Sequence, residues 1–163
     1  MILKKVFVDA SVHNHPLTRR ICQRLDLPVE RVDDPADLYR WINHAADPVS
    51  RGKQVLYLTR NKGPFLKSCP GTREYTCCDY QILHVASFCT MDCSYCILQS
   101  YFHPPVLQFF VNHEDLDREL GDLFQKEAIS RVGTGEFTDS LIWEALTDLT
   151  EHLVARFSRQ DKA

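Results

Sequence analysis

Three cysteines stand in the stretch Cys89-Thr-Met-Asp-Cys93-Ser-Tyr-Cys96, spaced C-x3-C-x2-C. They follow an apolar run, Ile82-Leu-His-Val-Ala-Ser-Phe88, that reads as a buried strand, and they precede Ile97-Leu-Gln-Ser-Tyr-Phe102, which can continue as a short helix. A strand, a tight thiol-bearing loop and a helix in that order constrain the fold to an α/β type. Three thiolates alone cannot complete a four-coordinate structural zinc site. They can hold three irons of a cubic iron–sulfur cluster, leaving the fourth iron open to a ligand that is not protein.

The rest of the chain alternates strands with helices. Lys4 to Asp9 alternates into a strand, and Pro16 opens a helix with Leu17, Ile21 and Leu25 at helical spacing. Leu27–Val32 reads as a second strand, and Pro35 starts a helix over Ala36–Ala46 with Leu38, Trp41, Ile42 and Ala45 on one face. Gln54–Thr59 is a third strand. Such alternation predicts a small α/β unit with parallel pairing. From Arg60 to Tyr80 the periodicity fails, and Asn61-Lys-Gly-Pro64 and Cys69-Pro-Gly-Thr72 carry turn chemistry. A division is therefore expected near residue 80, giving an N-terminal α/β region (1–80) and a second region (81–163).

In the second region Val106–Val111 reads as a strand. Asn112 is placed to cap a helix carrying Leu116, Leu120, Leu123 and Phe124. Ile129–Val132 is a short strand leading into Gly133-Thr-Gly-Glu136, after which Asp139 or Ser140 caps one long helix with Leu141, Ile142, Ala145, Leu146, Leu149, Leu153 and Phe157 inward. Glycines at 133 and 135 let a backbone approach a ligand and adopt positive φ. A carboxylate beside them, Glu136, can accept from an ammonium group. Both this turn and the cysteine loop follow strands, so both are expected on the carboxyl-end face of a parallel sheet.

The remaining candidates have plainer readings. His84 lies within an apolar run and reads as a hydrogen-bonded core histidine, and His13 and His15 as parts of a solvated turn. Trp41 and Trp143 read as core. Cys69, Cys77 and Cys78 read as ordinary free thiols, since neighbours on an extended chain such as Cys77 and Cys78 face opposite ways. Seven cysteines, most of them crowded between 69 and 96, favour metal or redox chemistry over a disulfide framework in a chain with no secretory signal. No segment approaches the ~20 apolar residues of a membrane span, so a cytoplasmic location is the default. The formal net charge of −3 gives the chain as a whole no attraction for nucleic acid, although a local basic patch is compatible with it.

The triplet, with an aromatic residue just before its last cysteine (Tyr95), resembles the cluster loop of the radical S-adenosylmethionine (SAM) enzymes. The stretches Cys69-Pro-Gly-Thr, Asp92-Cys-Ser-Tyr-Cys-Ile-Leu-Gln99 and Gly133-Thr-Gly-Glu-Phe-Thr-Asp139 look like the spore photoproduct lyase family within that superfamily. The resemblance runs from about Val6 to the C-terminus. It implies a [4Fe–4S] cluster on Cys89, Cys93 and Cys96, with SAM on the open iron. It places Tyr95 near the adenine, and Gly133, Gly135 and Glu136 in the role of the motif that holds the SAM amino group. The implied fold is a small N-terminal α/β unit followed by the first βα units of a partial radical SAM β/α barrel. The implied chemistry is reductive cleavage of SAM to a 5′-deoxyadenosyl radical, used to repair a thymine photoproduct in DNA. An electron donor such as flavodoxin or ferredoxin is the implied partner.

Two departures matter. The family's hydrogen-returning cysteine, found after the second strand of the barrel, has no counterpart: no cysteine follows Cys96, and Glu136 or its neighbours stand there. Fewer βα units are countable than a full barrel needs, so a truncated chain is expected. The alternatives are a non-catalytic iron–sulfur or zinc module, or a radical SAM enzyme with another substrate.

Overall fold

The structure, a computed structural model, describes residues 3–161 apart from 72–73 and 75–78. The expectations for Cys77 and Cys78 lie outside the described residues.

Strands β1 (Lys5–Asp9), β2 (Val29–Val32) and β3 (Val55–Thr59) alternate with helices α1 (Pro16–Leu25), α2 (Pro35–Asn43) and α3 (Pro48–Lys53). Each helix opens the same way. His15, Asp34 and Asp47 occupy the N-caps, their side chains accepting from backbone N–H groups, and a proline follows at the first helical position. Proline costs nothing there because that N–H has no intrahelical partner. His15 is thus a capping residue rather than part of a solvated turn. Helix α3 has no counterpart in the sequence expectation, and α2 ends at Asn43 rather than Ala46.

Strand β4 (Leu66–Ser68) lies in the stretch where periodicity failed, and it pairs antiparallel with β5 (Gln81–Leu83). The expected single strand over 82–88 is two pieces, β5 and β6 (Ala86–Ser87), which belong to different sheets. After the cysteine loop come α4 (Leu98–Tyr101), β7 (Leu107–Phe110), α5 (His113–Phe124) and β8 (Val132–Gly133). The first sheet has the order β2-β1-β3-β7-β6, with β1, β2, β3 and β7 parallel and β6 antiparallel to β7. The second has the order β4-β5-β8, with β5 and β8 parallel. The first sheet draws strands from both sides of residue 80.

The larger sheet is covered on both faces, which explains the near-continuous burial of β1 and β3. Val6, Val8, Leu56, Leu58, Leu107 and Phe109 point to the face where α1 and α5 pack. Phe7, Val55 and Tyr57 point to the other, against Leu38 and Ile42 of α2. Trp143 is buried as expected, but Trp41 is 42% exposed, its ring lying between Phe7 and the Arg51 guanidinium.

Two further expectations are corrected. Asn112 precedes α5 but makes no cap bond. Fully buried, it exchanges hydrogen bonds with the Asn61 backbone and donates to Asp115. The long C-terminal helix is broken: a 3₁₀ turn at Leu141–Trp143 leads into α6 (Glu144–Thr147), and Asp148 adopts φ 55° before α7 (Leu149–Phe157). Left-handed backbone at a non-glycine residue ends an α-helix, and Asp tolerates it better than most. A bidentate pair with Arg24, at 2.8 and 2.7 Å, holds Asp148 there.

Candidate functional site: the cysteine loop and the Gly133–Asp139 turn

Phe88 hands the chain to the cysteine loop in an unusual conformation. It is buried, yet its φ is 67°. A bulky residue in the left-handed region is strained, and it persists only where packing over-determines it. Here the ring packs edge-to-face on Phe102, at 6.0 Å, from the far side of the loop. The two ends of the loop are thereby joined.

Within the loop, Cys89, Cys93 and Cys96 are free and half-buried. Cys96 N–H donates to the Cys93 carbonyl at 3.0 Å, closing a turn, and Met91 N–H approaches Cys89 Sγ at 3.4 Å. Tyr95 is 89% exposed. Its phenol is held above its ordinary value chiefly by the nearby Cys93 side chain. Among the described residues, no three His, Cys, Asp or Glu side chains are gathered closely enough to grip a metal ion. The three thiols share a loop but are not drawn together.

The second segment follows β8. Gly133 is required by close approach: a Cβ there would stand 1.5 Å from the Tyr80 hydroxyl. Neither Gly133 nor Gly135 has a positive φ, which corrects the expected conformational role. At Gly135 a Cβ would make an ordinary contact with Ser140 Oγ, at 3.9 Å. The flanks of the turn are tied down. Thr134 and Ser140 hydroxyls hydrogen-bond each other, and the Trp143 indole N–H donates to the buried Thr138 Oγ1 at 3.0 Å. Asp139 accepts from the N–H groups of Leu141 and Ile142, the cap expected of it. Between these ties stands Glu136, whose Oε2 is buried with no hydrogen-bond partner among the described residues. A buried carboxylate oxygen left unpaired costs on the order of 1–3 kcal/mol, and a cationic partner removes that cost.

Phe137 links the two segments. Its ring meets Phe102 at 6.4 Å and His84 at 4.5 Å, and the Lys67 ammonium lies 5.6 Å from its centroid. His84 is the hydrogen-bonded interior histidine its context predicts. Lys67 donates to its Nδ1 at 2.8 Å, which leaves Nε2–H to donate to Ser87 Oγ at 3.0 Å. Burial first, and then the Lys67 charge, lowers its pKa to about 4.

The parallel pairing of β5 with β8 sets the Gly133 turn beside the end of β5, and the Phe102–Phe137 contact joins it to the cysteine loop. The larger sheet departs from expectation. Because β6 is antiparallel to β7, the cysteines lie at the end where its parallel strands begin, not where they finish. At that end Lys53, just ahead of β3, reaches into the loop, donating to the Met91 carbonyl and the Asp92 carboxylate. Nothing in the sequence marks Lys53, since a lysine ending a helix is ordinary. Phe137 fell within the quoted motif but carried no local sign of its bridging role.

The fold and these two segments define a mixed α/β protein, with a parallel-rich sheet and a three-thiol loop beside a Gly-Thr-Gly-Glu turn. No protein-family model matches the chain, and no curated protein matches it by sequence. Solved structures do match in fold. A spore photoproduct lyase mutant with bound AdoMet and dinucleoside spore photoproduct superposes with a TM-score of 0.76 at 15% identity over 99% of this chain. The same enzyme complexed with dinucleoside spore photoproduct, and a tyrosine-to-phenylalanine mutant of it, give the same values. The chain shares the fold of these neighbours and spans 48% of their length.

Proposed function

We propose that the chain is a radical SAM iron–sulfur protein of the spore photoproduct lyase type. The observation that carries this reading is the pairing of a C-x3-C-x2-C loop with a half-buried Glu136 whose Oε2 is buried and has no partner among the described residues, on a fold whose solved neighbours include one with bound AdoMet. The donor chemistry fits. Cys89, Cys93 and Cys96 would supply thiolates to a [4Fe–4S] cluster, and Glu136 would accept from the SAM ammonium, with Gly133 and Gly135 beside it. When bound, the two cofactors supply one-electron cleavage of the sulfonium to methionine and a hydrogen-abstracting 5′-deoxyadenosyl radical.

The chain's own residues hold and shield. Phe88, Phe102 and Phe137 would wall the site with apolar rings, and Tyr95, exposed at the loop tip, would border the adenine. The proposed substrate is a thymine photoproduct in DNA, after the dinucleoside lesion bound in the neighbours. Glu136 in place of a hydrogen-returning cysteine argues that the final hydrogen comes from elsewhere. A flavodoxin or ferredoxin would supply the electron, in the cytoplasm, where thiols stay reduced.

Anaerobic reconstitution with iron and sulfide, then dithionite and SAM, tests the reading. The expected product is 5′-deoxyadenosine. A cluster that forms without yielding 5′-deoxyadenosine overturns the enzymatic reading. The rival is a non-catalytic iron–sulfur or zinc module on the same three cysteines. Colourless protein carrying stoichiometric zinc would establish it.

A further inference from the structure

We propose that Lys53 is a positioning residue for the cysteine loop, an assignment whose functional sense rests on the cluster-binding reading above. The Lys53 ammonium donates to the Met91 carbonyl at 2.9 Å, to the Asp92 carboxylate, and to Gln99 Oε1 at 3.4 Å. It also lies 5.9 Å from the centroid of the Phe88 ring. In chain order these contacts fall before Cys89, between Cys89 and Cys93, and after Cys96. One cation therefore holds the loop on either side of, and between, its thiols.

Its own placement is fixed independently. The side chain is 12% exposed, whereas that of Asp92 is 83% exposed. The anchor is the lysine, and the loop comes to it. One residue earlier, a Cβ on Gly52 would stand 1.5 Å from the Pro105 carbonyl oxygen. The end of α3 is thus pressed against the backbone that returns from the cysteine loop into β7. An ammonium has three N–H donors, and three acceptors meet it. Taking such a group out of water is costly unless every donor is matched. A lysine that only complemented the α3 dipole would have no reason to turn inward.

Two properties follow for the loop. Its few internal hydrogen bonds leave its shape to be set from outside, and Lys53 does this before any cluster is present. The Asp92 carboxylate paired with Lys53 is 83% exposed and screened by water, so the buried ammonium would favour the reduced, more negative form of a cluster held on this loop and raise its reduction potential.

The test uses Lys53→Met, which keeps the length of the side chain without its charge, and Lys53→Arg, which keeps the charge. Hydrogen exchange on the cluster-free protein is expected to quicken several-fold over residues 89–99 in Lys53→Met while β3 is unchanged. After reconstitution, Lys53→Met should take up iron and sulfide several-fold more slowly and show a more negative midpoint potential, with both restored in Lys53→Arg. Should Lys53→Met fail to fold, Asp92→Ala removes only the exposed partner and should quicken exchange in the same segment. Unchanged exchange and an unchanged potential would overturn the proposal. If the wild-type chain assembles no cluster, the cluster-binding reading falls by itself, and the exchange measurement still decides whether Lys53 orders the loop.

Discussion

The rings of Phe102 and Phe137 meet edge to face at 6.4 Å, one leading away from the cysteine loop and the other from the Gly133–Glu136 turn. That contact packs the two segments against each other. Phe137→Ala removes it, together with the contact to His84 at 4.5 Å. For a half-buried ring the expected loss is roughly 1–3 kcal/mol, read as a lower urea midpoint. His84, opened to water, should titrate closer to an ordinary histidine by NMR. An unchanged midpoint and an unmoved His84 would show the ring to be incidental.

Two glycines predict different outcomes for the same substitution. In Gly52→Ala the new methyl meets a backbone carbonyl, that of Pro105, which cannot swing aside. The cost should lie at or above the top of the ~1–3 kcal/mol range for overpacking. In Gly133→Ala the obstacle is the end of the Tyr80 side chain. Removing it in Tyr80→Ala should relieve most of the damage, a non-additivity that a double-mutant cycle in urea would record. Additive losses would refute the assigned clash.

Two histidines govern the response to acid. His84 is pushed to about 4 by burial and by Lys67. His113 is pushed to about 4 by burial and by the neighbouring His152 and His15, against the opposing pull of Asp117 and Glu114. Both are neutral in the folded chain and bind protons more readily once unfolded. Their contribution is therefore intact above about pH 6.5, the ordinary histidine value, and is lost as pH falls toward 4. Urea midpoints between pH 7 and 4 should decline across that window. His113→Gln should flatten the decline, whereas a slope unchanged in both His113→Gln and His84→Gln would place the proton uptake elsewhere.

On the proposed function, Glu136→Gln keeps the shape of the side chain and removes its charge. Loss of one charge-assisted hydrogen bond of about 1.5 kcal/mol corresponds to roughly tenfold weaker SAM binding. Equilibrium dialysis on the reconstituted protein would measure it, with iron content as the control. Equal affinity would remove Glu136 from the SAM site.

Much of this architecture was legible because its causes are local. Helices α1 and α2 open at Pro16 and Pro35, where they were expected to, and the cysteine spacing is a property of the string itself. Burial on both sides made β3 a continuous apolar run. What escaped was decided by distant partners. Strand β4 exists because β5 lies beside it, and Ile82–Phe88 divides because its two halves join different sheets. The break at Asp148 depends on Arg24, far back in the chain. Trp41 lies on the predicted helix but at its rim, where Arg51 rather than the core covers it. The positive φ expected of the turn glycines is not found; what crowds Gly133 is the Tyr80 side chain, a partner distant in sequence.

The register of β3 against β7 sets an order of events for the newborn chain. Leu56 can find Leu107 only after the whole segment between them, all three thiols included, has been made. Until then the fully buried strand β3 has β1 on one side and nothing on the other. The docking of β7 completes the sheet and closes a long loop, a slow step because its entropy is lost before its contacts form. The cysteines ride within that loop. Their final spacing is thus a late product of folding, and metal offered earlier meets three thiols on a slack tether.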